Sequence, residues 1–195
     1  MGLFQKNSLL HWNYFLAMED DLEKVARYIE ISKRNRNVYS LELARMLMAS
    51  SAEVDVLLKS LCARFDSGAK ADNINKYYPI VSQSIPNVLQ FPVSLPKWGM
   101  SLSPLSSWKE GCPPKWWTAN NKVKHHRHEA KNYEKANLKN VLNSIAALYI
   151  LNLYFYKEQA ESGGLTPVQK LFYSDYILTS EPSEIGSGKG CVYIL

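Results

Sequence analysis

Cysteine is scarce in this chain of 195 residues: Cys62, Cys112 and Cys191 are odd in number and far apart. Such a set excludes both a disulfide framework and a Cys-x-x-Cys metal knuckle, and it predicts a reducing, cytoplasmic setting. Clustered carboxylates of the kind a two-metal site needs are also lacking, so no metal and no cofactor is expected. There is no internal repeat. The N-terminal "MGLFQKNSLLHWNYFLAMEDD" runs into acidic residues rather than a small-residue cleavage site, which argues against a signal peptide. Gly2 has no Ser or Thr at the position a myristoylation signal requires, and Cys191 stands fifth rather than fourth from the end, so no lipid anchor is expected. The most apolar run, "NVLNSIAALYILNLYFY", contains three asparagines. That predicts a buried helix and no membrane partner.

What is present suffices for one domain: 46% of residues are hydrophobic, over a length too short for two comfortable cores. The expected extent is 1–180, with 181–195 as a loose tail. Helical spacing dominates and predicts an all-α fold. A first helix is predicted over Glu19–Ser32, with its acids at the start where the helix dipole favours them. A long second helix follows from a cap at Ser40 to Phe65. A short helix near "ADNINKYYPIVSQ" leads into an irregular insert, about 87–113, rich in Pro, Ser and Gly; "VLQFPVSL" within it suits a small β-hairpin. Pro113 and Pro114 open a helix through "KWWTANNKVKHHRHEA", with a bend near Lys131 and Asn132 before a second long run ending near Gly163 and Gly164. Thr166 and Pro167 read as the start of a last short helix through Ile177.

One stretch draws chemistry together. In "WWTANNKVKHHRHEAKNYEKANL", 116–138, helical projection puts Trp117, Asn121, Lys124, His125 and His128 on one face, with Trp116, Asn120, Val123 and Arg127 beside them. Histidine moves protons near neutrality, and lysine and arginine stabilise the charge that grows on a phosphorus under attack. With RNA the 2′-hydroxyl is the nucleophile, so no metal is required. Between 115 and 139 seven cationic side chains stand against two acids, a footprint suited to a polyanion. A plainer reading stands beside it: Asn121 and His125, four apart, can bond each other, and tryptophans at a helix start commonly anchor a core.

The order of a helix pair, an irregular insert, a helix bearing Asn-x-x-x-His and a further long helix resembles the HEPN superfamily over about residues 10–160. The family's motif is an arginine, four to six variable residues and a histidine, with a polar residue often following the arginine. Here "NNKVKH" offers Asn121 for the polar position and His125 for the histidine; Asn120 stands where the arginine would be. The resemblance implies a bundle of about five helices, a homodimer that apposes two motif helices, and metal-independent cleavage of RNA. In that picture His125, Asn121, Lys124 and Arg127 are catalytic, while Asn120, Lys122, His128, Lys131 and Trp117 contact RNA. It also implies a place in host defence or a toxin–antitoxin system, with an antitoxin or other protein partner. The alternative is a non-catalytic module that binds RNA, a nucleotide or a protein. Glu53 and Asp55 of the second helix are candidates to orient a basic group across the bundle.

Overall fold

A computed structural model describes residues 8–174, 177–179 and 192–195. Its elements are α1 (Leu10–Val25), α2 (Leu41–Phe65), α3 (Ile74–Ser84), β1 (Val93–Leu95), β2 (Met100–Leu102), α4 (Lys115–His126), α5 (Leu138–Phe155), α6 (Lys157–Glu161), β3 (Ile177–Thr179) and β4 (Val192–Tyr193). The chain is therefore mainly helical, and no helix among the described residues is long and apolar enough to cross a membrane.

The core is the packing of α2 on α5. Ser40 caps α2 as its sequence predicts, its side chain accepting the Leu43 N–H at 3.1 Å. Asn137 caps α5 by accepting from Asn140 at 3.1 Å. Leu43, Leu47, Val54, Leu57, Leu58 and Leu61 are all buried, and α5 buries residues on every side between Leu138 and Leu153. A helix apolar all round belongs at the centre of a bundle, which is where α5 lies. Small side chains let the two helices approach closely: Ser50 Oγ meets Ser144 Oγ at 2.7 Å.

The first helix departs from its predicted span. It begins at Leu10 because Trp12 and Phe15, both fully buried, anchor it, and it ends at Val25 rather than Ser32. Its acids consequently lie in mid-helix, where partners rather than the dipole satisfy them. Asp21 meets Arg45 at 2.5 Å, and Asp20 accepts from Lys170 at 2.8 Å.

Glu19 accounts for a second departure. Its carboxylate is 1% exposed and accepts the backbone N–H groups of Lys170, Leu171 and Phe172 at 2.8 to 3.0 Å. The helix predicted from Thr166 does not form because those donors are spent on Glu19, and Tyr173 forms a bridge with Ser94 at the edge of β1. Pro167 contributes its carbonyl to Trp12 Nε1 at 2.8 Å. At the far C-terminus Val192–Tyr193 pairs with Ile177–Thr179, and Tyr193 is buried with its hydroxyl 3.1 Å from that of Tyr149. Residues 181–191, most of the predicted tail, lie outside the described residues.

The insert holds a small hairpin, but not within "VLQFPVSL": Pro86–Gln90 forms a short 3-10 turn, and only Val93–Leu95 of that stretch is strand, paired with residues beyond it. β1 and β2 pair antiparallel, Val93 with Leu102 and Leu95 with Met100, and Gly99 turns the chain at φ 58°. Trp116 Nε1 donates to Pro104 O at 2.9 Å, so the insert is fastened to the start of α4.

Candidate functional site

α4 lies against α2 and α5 through Trp116, Trp117, Ala119, Asn120 and Val123, all buried. The helix stops at His126 instead of running on through the following residues. Asn132 enforces the stop: its Nδ2 donates to His126 O at 3.1 Å and to Glu129 Oε2 at 3.1 Å, and Lys131 turns the chain at φ 63°. Arg127 is thus the C-cap, and His128 belongs to the turn beyond. Of the predicted common face, Asn121, Lys124 and His125 lie exposed within α4, whereas Trp117 is buried and His128 falls beyond the helix.

Two residues expected to touch RNA turn inward. Trp117 is 8% exposed with its ring 5.7 Å from that of Trp116, so it packs. Asn120 is also 8% exposed, and its Oδ1 has no hydrogen-bond partner among the described residues. The position that the resemblance would give to arginine therefore points into the bundle, because Asn120 lies on the same side of α4 as Trp116 and Val123.

The other expected residues are all on the surface: Asn121, Lys122, Lys124, His125, Arg127, His128 and Lys131 are exposed. His125 stands one turn after Asn121 and beside Lys124. His126, its neighbour with ring centroids 6.4 Å apart, is tied to Glu129 at 2.9 Å. No ion pair among the described residues engages Lys122, Lys124, His125 or Arg127, so their charges and ring nitrogens face solvent. Among the described residues no group of three or more His, Cys, Asp or Glu is placed to hold a metal ion.

Two further features escaped the sequence. A cavity of about 240 Å³ opens between α4 and the entrance of α5, bounded by Lys115, Thr118, Lys122, Lys135, Asn137 and Asn140. Its signal was the i, i+3, i+7 spacing of Lys115, Thr118 and Lys122; Lys135 joins them only through the turn between the helices. A larger cavity of about 740 Å³ lies where α5 ends, beside Arg64, Tyr154 and Tyr156. It is about 20 Å along α5 from the first. Its cations are engaged: Arg64 donates to Phe155 O at 2.8 Å and covers the Phe155 ring at 3.8 Å, while Lys157 donates to Leu195 O at 2.9 Å.

His11 was not singled out in the sequence, yet it pairs with Glu53 behind that larger cavity, its ring edge-on to Phe155 at 4.9 Å. Burial, followed by the nearby Glu53 charge, raises the Tyr14 hydroxyl above its ordinary value. Asp55 accepts from Tyr77 at 3.1 Å, and burial followed by that carboxylate pushes the Tyr77 hydroxyl up.

No family model, no curated protein and no solved structure matches this chain.

Proposed function

We propose that the chain is a HEPN-like protein that acts on RNA as a metal-independent endoribonuclease, serving in host defence or a toxin–antitoxin system. The observation that supports this reading is the end of α4, where the exposed side chains of His125, Lys124, Asn121 and Arg127 crowd together and form no ion pair with a carboxylate among the described residues. His125 takes the proton of a 2′-hydroxyl, the freed oxygen attacks the adjacent phosphorus as the P–O5′ bond breaks, and the 5′-oxygen leaves with a proton given by the second, protonated histidine of the apposed protomer. Lys124 and Arg127 stabilise the phosphorane, and Asn121 orients substrate or the imidazole. The products carry 2′,3′-cyclic phosphate and 5′-hydroxyl ends. A single exposed helix supplies one wall of a cleft; a second protomer, apposing its own α4, supplies the other and a second histidine.

The test is incubation of wild-type and His125→Ala protein with total RNA in EDTA, with the fragment ends mapped. Cyclic-phosphate ends from the wild type alone are expected. Equal cutting by both proteins, or none by the wild type, ends the nuclease reading.

A second reading has its own observation. Asn120 is buried and uncharged where the resemblance calls for an arginine on the phosphate. A non-catalytic module that binds RNA, a nucleotide or a partner protein fits that substitution. Salt-dependent RNA binding without turnover selects it.

A further inference from the structure

Lys115, Lys122 and Lys135 converge on the cavity between α4 and the entrance of α5, and none of the three ammonium groups has an ion-pair or hydrogen-bond partner among the described residues. Three like charges around one small space repel one another, and among the described residues no acid lines the cavity to relieve them. By contrast, the basic groups of a groove beside α1 share it with Asp20, Glu23 and Glu30.

The start of α5 does not itself offer free donors. Leu138 N–H is taken by Val38 O at 3.0 Å, Lys139 N–H by Arg36 O at 3.0 Å, and Asn140 N–H by the Asn137 side chain. Any anion here is therefore held by the ammonium groups and the exposed Thr118 hydroxyl. At about 240 Å³ the space is smaller than the roughly 300–1,000 Å³ of whole small-molecule sites. It suits a single phosphate with part of its sugar.

Lys122 connects the cavity to the end of the helix. It lines the cavity, and His125 follows it by three residues, a spacing that leaves side chains about 5–6 Å apart on a helix surface. A chain whose phosphate enters the cavity passes over His125 next. We propose that the Lys115, Lys122 and Lys135 cavity is a phosphate subsite that seats the RNA backbone beside the bond presented to His125. This rests on the RNA reading given above. The subsite fixes register along the strand and uses charge alone, so it carries no preference among bases.

The test is fluorescence anisotropy with a 2′-O-methylated single-stranded RNA, which cannot be cleaved, measured between about 50 and 200 mM salt. Lys115, Lys122 and Lys135 are changed together to Gln, together to Arg, and a control set of Lys33, Lys59 and Lys70 is changed to Gln. The Gln cavity variant is expected to bind at least about tenfold more weakly, its log–log salt slope shallower by about 0.7, the contribution of the one phosphate no longer neutralised. The Arg variant and the control set keep the wild-type slope. If the Gln cavity variant binds as the wild type does, the subsite is wrong while the RNA reading stands. If wild-type protein binds no RNA at all, the RNA reading falls and the subsite with it.

Discussion

His11 Nδ1 lies 2.5 Å from Glu53 Oε1, joining the start of α1 to the middle of α2 with both side chains about 15% exposed. Glu53 was legible as an acid that could orient a basic group across the bundle; its partner was not. His11→Ala and Glu53→Gln are each expected to cost about 1–3 kcal/mol, the range for leaving a buried polar group unpaired. Together they should cost less than the sum. Urea denaturation of both single variants and the double variant measures that coupling, and strict additivity would show the pair to be incidental.

Glu19 makes stability depend on pH. Burial raises its carboxyl above the ordinary value, against the opposing pull of the N–H groups of Lys170, Leu171 and Phe172 and the Lys170 charge. The folded state thus holds this proton more tightly than the unfolded chain. The contribution is full below the unfolded value and is lost as pH rises through the folded one. Wild-type stability should therefore decline relative to Glu19→Gln as pH climbs from about 4 towards neutrality. At any pH, Glu19→Ala should release residues 170–172, seen as faster amide hydrogen exchange there.

His125 is exposed, so His125→Ala should change unfolding free energy by no more than about 0.5 kcal/mol. Its RNA-cleavage rate should fall by about 10²–10⁴ if the imidazole transfers the proton. A large drop in melting temperature would instead assign His125 to a structural network.

Asn120→Ala removes an oxygen that accepts no bond among the described residues, so its stability should lie within about 1 kcal/mol of wild type. Asn120→Arg restores the residue that the resemblance expects but drives an unpaired cation into the bundle. A loss of more than about 3 kcal/mol is expected. Thermal unfolding of the two variants decides whether the position faces the interior; an Arg variant as stable as wild type would mean that the side chain reaches solvent.

Local chemistry was legible wherever a residue's neighbours in sequence are also its partners. The Ser40 cap and the long apolar α2 and α5 follow from period and capping rules that act over a few residues, whereas of the hairpin only the strand Val93–Leu95 lay in the stretch that the pattern marked. The crowding of cations and imidazoles after Trp117 was legible too. Partners far along the chain decided the rest. Glu19 captures the donors of 170–172, about 150 residues away, and so cancels a helix that Thr166 and Pro167 advertised. Asn132 ends α4 by reaching back to His126, which removes His128 from the face it was expected to share. The packing of α4 on α2 and α5 turns Trp117 and Asn120 inward and leaves His125 outward, a choice that helical spacing alone cannot make because it fixes which residues share a face and not which face meets the core.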